Sequence, residues 1–343
     1  MSRPVALVLR PLGLGDFLTG LPALRLIRRL LPDHQLVLAA GIQFQPLLPL
    51  ISYLDELLPA AELQPVRGLD RPVDIGIDLH GNGIASRRIV AQLRPRRLVG
   101  FGNPVDGLPG PPWQLPDEVE HEVRRWCRLV QHALGSADDQ PAGLVAGCVA
   151  LPGPAPGPEL TVLHPGAAYR SRRWPAERFS ELARGLSAAG HRLVVTGTSR
   201  EAALAGQVAG NRRAELQLDL PLLELFRLVA HARLVISGDT GIAHVASNYG
   251  TPSITLFGPV SPAHWGPPAD PRHVVLWHGD GTGNPHGNQV DPALLRISVD
   301  EVLGAVARLD AWRAEIHRPG SVSRRPPRTP SPPTTVLPAA STR

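Results

Sequence analysis

The chain contains no lysine, so all 35 of its basic residues are arginine, and it has only two cysteines in 343 residues. Cys127 and Cys148 stand far apart with no histidine at a metal-ligand spacing from either, which excludes a disulfide framework and a cysteine-built zinc site. They are expected to be inert thiols. Long apolar runs are missing too: the stretch 47–58 is broken by Pro49, Ser52, Asp55 and Glu56, well short of the ~18 residues that a membrane helix needs. No spanning helix is expected. Met1 to Pro4 lead directly into the apolar run Val5–Leu9, of strand length and without a small-residue cleavage site after it, so no secretory leader is read and a cytoplasmic location is expected. There is also no Asp-x-Asp pair anywhere, so a metal held by such a pair is not expected.

The net charge of +5 does not mark a nucleic-acid binder. Arg318, Arg324, Arg325, Arg328 and Arg343 lie in a tail without a single acid, which leaves residues 1–317 balanced at zero. That tail, 317–343, is rich in Pro, Ser, Thr and Arg, lacks apolar periodicity and is expected to be disordered. With 43% hydrophobic residues, the body suits two domains with cores of their own. The run 151–159, Leu-Pro-Gly-Pro-Ala-Pro-Gly-Pro-Glu, excludes helix interior and sheet ladder alike and reads as the linker between residues 1–150 and 160–316.

Short aliphatic runs alternate with helical patterns on both sides of the linker, the sequence form of α/β units with parallel sheets. Strands are predicted at 5–10, 35–40, 73–78 and 97–100, then at 161–164, 192–196, 234–237 and 253–257. Helices are predicted at 17–31, 86–93 and 118–134, then at 176–189, 199–209, 222–231 and 242–249. Ligands of open parallel sheets sit beyond the carboxyl ends of the strands, so two such domains place a site in the cleft between them.

Three strand-to-helix junctions carry chemistry. The first, Arg10-Pro11-Leu12-Gly13-Leu14-Gly15-Asp16, lacks the third glycine of a dinucleotide fingerprint, and Ala39-Ala40-Gly41 stands where the ribose-binding acid would end the second strand. What remains is a glycine turn presenting Asp16, either as a general base kept ionised by the helix start or as a helix cap. The second, His164-Pro165-Gly166 to Arg172-Arg173-Trp174-Pro175, crowds arginines into one loop, a phosphate clamp or a solvated basic turn, with Trp174 read as packing. The third is Ser237-Gly238-Asp239-Thr240-Gly241-Ile242-Ala243-His244. Its glycines admit a ligand, and the amides of Thr240 and Gly241 with the Thr240 hydroxyl form an anion cradle. Asp239 then suits sugar hydroxyls, against the alternative of Asp239 as a cap and His244 packed on the helix. Glu201, just past another strand end, is either a ribose or base acceptor or an ordinary first-turn acid. The histidine-containing segment 278–288 shows no metal spacing and receives no role.

In this order the motifs resemble glycosyltransferase family 9, the ADP-heptose:lipopolysaccharide heptosyltransferase group, over about residues 5–310. The resemblance rests on Gly15-Asp16 followed by Leu21-Pro22-Ala23-Leu24, on His164-Pro165-Gly166 running to Arg173-Trp174-Pro175, and on Gly238-Asp239-Thr240-Gly241 with His244 and Leu256-Phe257-Gly258-Pro259. It implies a GT-B fold, two Rossmann-like domains facing across a cleft, and inverting transfer without a metal or other cofactor. By the same resemblance Asp16 deprotonates the acceptor, supported by Gly15 and His244; Arg172, Thr240 and Gly241 hold the donor diphosphate; Asp239 contacts the donor sugar; and Glu201 binds the nucleoside. Arg172 replaces the family's usual lysine, keeping the charge but presenting a planar fork. The implied partners are a nucleoside-diphosphate sugar, with ADP and a heptose as the family's pattern, and a glycan or glycolipid acceptor. Peripheral contact with the inner face of a membrane is compatible with such an acceptor; nucleic acid is not expected. A sugar-nucleotide epimerase and a non-catalytic nucleotide-sugar binding protein are the alternatives.

Overall fold

The computed structural model describes residues 3–116, 118–135, 146–155, 159–210 and 213–316. The expectation for the tail 317–343 and for linker residues 156–158 lies outside them.

Among these residues the strands form two fully parallel sheets. The first has the order β3-β2-β1-β4-β5 and is built from β1 (Val5–Leu9), β2 (Gln35–Ala40), β3 (Glu56–Pro59), β4 (Val73–Asp78) and β5 (Arg97–Val99). The second has the order β11-β10-β9-β6-β7-β8, from β6 (Thr161–His164), β7 (Leu193–Gly197), β8 (Glu215–Leu218), β9 (Leu234–Gly238), β10 (Ser253–Leu256) and β11 (His273–Leu276). The central strands are apolar on both faces because helices cover both, and every residue of β1 is buried.

The helices of the first unit are α1 (Leu14–Leu30), α2 (Ile84–Gln92) and α3 (Glu122–Leu134). Those of the second are α4 (Ala176–Ala188), α5 (Ala202–Ala209), α6 (Leu222–Ala230), α7 (Gly241–Tyr249), α8 (Pro262–Trp265), α9 (Pro292–Arg296) and α10 (Val299–Ile316). Two boundaries shift in ways that matter. α1 begins at Leu14 rather than 17, which brings Asp16 inside its first turn. α3 begins at Glu122 rather than 118, because the ring of His121 caps it by accepting from the Val123 amide at 3.2 Å. The helix expected from 199 opens as a 3-10 turn, Ser199–Glu201, before α5. Both cysteines are buried and unbridged, and Trp174 packs as expected, edge-on to Phe179 with its indole N–H on the Ile297 carbonyl.

The two units share one apolar cluster. Phe17, Leu21 and Leu47 from the first unit join Phe226, Ile242 and Val245 from the second in it. The chain also packs on α7 at Val149: Asn248 donates to the Val149 carbonyl at 3.0 Å and accepts from the Val149 amide at 2.9 Å. α10 closes the second unit, with Val299, Val302, Val306 and Leu309 in its core.

Candidate functional site

The carboxyl ends of β1, β6, β7 and β9 converge on a cleft of about 1160 Å³, and Gly15, Asp16, Arg172, Glu201, Asp239, Thr240, Gly241 and His244 all line it. Asp16 comes from one sheet unit; the other candidate side chains come from the other. Residues more than 150 positions apart in sequence therefore meet because each follows the strand end facing the cleft.

Asp16 sits in the first turn of α1, where Gly13, not Asp16, holds the capping position. Its carboxylate is about one third exposed, and its Oδ1 lies 3.9 Å from the buried guanidinium of Arg10. Across the cleft, Thr240 caps α7 and Gly241 is its first residue. The Thr240 hydroxyl and the Nε–H of Arg172 are both buried without a hydrogen-bond partner. Orphaned buried donors are costly unless something else accepts from them, and here they belong to two residues that line the cleft beside a helix N-terminus, a setting suited to an anion. Gly238 is required where it stands, since a Cβ there would lie 2.8 Å from the Arg172 carbonyl and displace the arginine loop.

Asp239 is held under this cradle. Burial pushes its carboxyl up to about 6, against the opposing pull of Arg172, while Asp16 across the cleft adds to the rise. The Arg172 guanidinium lies 3.9 Å from Asp239 Oδ2 and donates to the Asp239 carbonyl at 3.4 Å. His244 is buried against Gly15, and its imidazole is pushed down to about 4 by burial, so it is neutral near pH 7.

Glu201 lines the same cleft but already has an internal task. One carboxylate oxygen accepts from the amide and hydroxyl of Thr198, at 3.0 and 2.9 Å, closing a capping box over the 3-10 turn. The other lies 3.9 Å from Arg173. The Thr198-x-x-Glu201 spacing carried that signal in the sequence. Gly166 makes room for this carboxylate: a Cβ there would stand 2.2 Å from Oε1.

Several contributors were not read from the sequence. Trp265 and His286 line the cleft, and His286 packs edge-on to Tyr169 at 4.6 Å. The two units also touch beside it: His121 Nε2 lies 3.0 Å from the Gly266 carbonyl and His264 Nδ1 3.3 Å from the Glu120 carbonyl. Because His121 Nδ1 accepts from Val123, the proton sits on Nε2 and donates to Gly266. Among the described residues no group of three metal-ligating side chains is assembled, and His278 of the unassigned segment pairs with Glu301 at 2.9 Å.

A family model described as glycosyltransferase family 9 (heptosyltransferase) matches residues 108–286. Lipooligosaccharide heptosyltransferase 2 of Haemophilus influenzae is 25% identical over 158 residues, covering 40% of this chain and 46% of that protein. The chain thus aligns with about half the length of that curated relative or less. Two solved structures superpose over nearly the whole fold. The Escherichia coli ADP-heptose lps heptosyltransferase II has a TM-score of 0.74 at 20% identity, covering 90% of this chain and 99% of that one. The E. coli heptosyltransferase WaaC with ADP gives 0.68 at 21%, covering 89% and 99%. Two facing parallel-sheet units around one cleft are the GT-B architecture.

Proposed function

The chain belongs to glycosyltransferase family 9, and on that premise we propose that it is an inverting glycosyltransferase that moves a sugar from a nucleoside-diphosphate donor to a hydroxyl of a glycan or glycolipid. ADP is the proposed nucleotide and a heptose the proposed sugar, since the similar structures are an ADP-heptose enzyme and an ADP complex. The observation that carries the reading is the opposition of Asp16 on one wall of the cleft to Arg172 and Thr240 on the other, each with a buried polar atom, Nε and Oγ1, that has no hydrogen-bond partner.

The chemistry follows from that opposition. The Asp16 carboxylate takes the proton of the acceptor hydroxyl as its oxygen bonds to the anomeric carbon from the face opposite the diphosphate. The anomeric carbon–oxygen bond breaks, and its electron pair leaves on the diphosphate. Arg172, the Thr240 hydroxyl and the first amides of α7 meet the charge that develops there. General base catalysis contributes roughly 10²–10⁴-fold, and positioning with charge stabilisation supplies the rest. Asp239, protonated more readily than an ordinary carboxyl, donates or accepts at the sugar hydroxyls without repelling the diphosphate as strongly as a fixed charge would. Glu201 is proposed to meet the nucleoside through Oε1, the oxygen outside the capping box.

No helix among the described residues is long and apolar enough to cross a membrane. A cytoplasmic enzyme meeting a glycolipid at the membrane face is the corresponding proposal for its location, with residues 1–150 as the acceptor-side domain and 160–316 as the donor-side domain. The test is calorimetric titration with ADP, UDP, GDP and dTDP in the presence of a chelator, followed by turnover of ADP-heptose against a glycolipid acceptor with the anomeric configuration read by NMR. Selective ADP binding and an inverted glycoside are expected. Binding without transfer to any acceptor favours the non-catalytic alternative, and conversion of the sugar nucleotide without acceptor favours the epimerase.

A further inference from the structure

Arg10 is a buried cation with several partners, two of which, Asp16 and Glu122, are carboxylates near the cleft. It follows β1 directly and is only 1% exposed, a severe placement for a group that cannot shed its charge. Burial lowers the tendency of its guanidinium to stay protonated, and Glu122, Asp16 and Asp78 oppose that effect. Its Nε–H donates to the Asp16 carbonyl, one terminal nitrogen donates to the Leu79 carbonyl, and the other donates to Thr19 Oγ1 at 3.2 Å. The Thr19 hydroxyl donates in turn to the Asp16 carbonyl at 3.1 Å. The guanidinium stacks 4.7 Å from the centre of the Trp126 ring. Gly20 is shaped by the same side chain, since a Cβ there would lie 2.5 Å from Arg10 Cδ.

The charge is shared. Arg10 Nη2 is 3.9 Å from Asp16 Oδ1 and 3.7 Å from Glu122 Oε1. Glu122 is also bound by the Trp126 indole N–H at 2.7 Å and by Arg125 at 2.8 Å, so its position does not rest on Arg10 alone. The remaining titratable groups around the pair are Asp78 at the end of β4, His80 just after it, and Asp239 facing Asp16 from the other unit.

We propose that Arg10 is a positioning residue for transfer: it fixes the first turn of α1 through the Asp16 carbonyl and sets the charge environment of the Asp16 carboxylate, with Glu122 as the competitor that tempers it. The proposal rests on the reading of Asp16 as the base. A brace that served only the fold would also need its buried charge compensated, but it would leave the pH dependence of turnover unmoved. Lysine keeps the charge and loses the fork. Methionine removes both.

The test is the pH profile of kcat/KM for Arg10→Lys, Arg10→Met and Glu122→Gln beside wild type and Asp16→Asn. Glu122→Gln keeps an acceptor for the Trp126 indole and removes the competing charge, so its acid limb moves to lower pH, by roughly 0.3–1 unit. In Arg10→Met the acid limb moves the opposite way and kcat falls roughly 10- to 100-fold with donor KM within about threefold of wild type. Arg10→Lys recovers part of kcat and most of the profile. If Arg10→Met does not fold, the shift in Glu122→Gln and the kcat and pH profile of Arg10→Lys, each read against wild type, still decide. Profiles that do not move, or move in one direction for both substitutions, while Asp16→Asn abolishes turnover, overturn the role of Arg10 alone. Retained turnover in Asp16→Asn overturns the underlying assignment of the base.

Discussion

Gly15 at the start of α1 lies against the imidazole of His244 on α7: a Cβ on Gly15 would stand 3.1 Å from His244 Cδ2 and 3.4 Å from Nε2. The same approach recurs one step away, where a Cβ on Gly241 would lie 2.8 Å from Leu14 Cβ and 2.9 Å from Leu14 Cγ. The glycines of two motifs that read from sequence as room for a ligand therefore also let the helix starts of the two units touch. That contact sets the distance between the proposed base and the proposed anion cradle.

A methyl group at Gly241 must push α1 and α7 apart. Gly241→Ala is expected to destabilise the protein by about 1–3 kcal/mol and to weaken nucleotide binding, as overpacking against backbone-linked atoms does. Gly206→Ala, within α5 and with nothing within 4 Å of the added carbon, is expected instead to stabilise by about 0.4–1 kcal/mol. Urea unfolding of both variants checks the contrast, and equal effects would remove the helix-contact explanation.

Arg172 provides the second test. Its buried Nε–H has no acceptor, and its terminal nitrogen donates to the Asp239 carbonyl at 3.4 Å but stands 3.9 Å from that residue's carboxylate, so most of its charge is available to a ligand. Arg172→Ala is expected to lower ADP affinity by roughly 10- to 100-fold, the loss of one or two charge-assisted bonds, and Arg172→Lys to recover most of it. Titration calorimetry measures this directly; unchanged affinity in the alanine variant would assign the diphosphate to other groups.

Acid sensitivity follows from buried imidazoles. Burial pushes His273 and His244 down to about 4. Between about pH 6.5 and 4 the unfolded chain binds protons that these rings refuse in the fold, so their contribution to stability is intact above that window and is lost as the pH falls through it. Asp78 and Asp239, pushed up to about 6, act in the opposite sense: the fold takes up their protons first, which favours it on acidification. His273 lies on β11, outside the cleft lining, and its Nδ1 lies 2.9 Å from the Ser253 hydroxyl. His273→Gln is thus expected to lose less thermal stability than wild type between pH 7 and 4.5 while binding ADP normally at pH 7. An identical pH dependence would show that His273 does not contribute.

The fold was legible where a strand is buried on both faces. β1, β2, β4, β6, β9 and β10 announce themselves as apolar runs, and the motifs that follow β1, β6 and β9 reached the cleft because chain direction alone puts them there. The edge strands β3, β8 and β11 were not read. Glu56–Pro59, Glu215–Leu218 and His273–Leu276 are four residues each and partly exposed, so they resemble loops. α10 was missed although Val299, Val302, Val306 and Leu309 repeat at helical spacing. In the site, the residue types of the three junctions were visible, whereas Arg10 gave no signal because its partners Leu79 and Glu122 come from other elements. The capping task of Glu201 was visible in its spacing from Thr198.

The most direct test of the central claim is Asp16→Asn, which keeps the side chain's size while removing its capacity to take a proton. Transfer is expected to fall by roughly 10²-fold or more, with ADP affinity within about twofold of wild type. Turnover within tenfold of wild type would contradict the assignment of Asp16 as the base and with it the proposed mechanism.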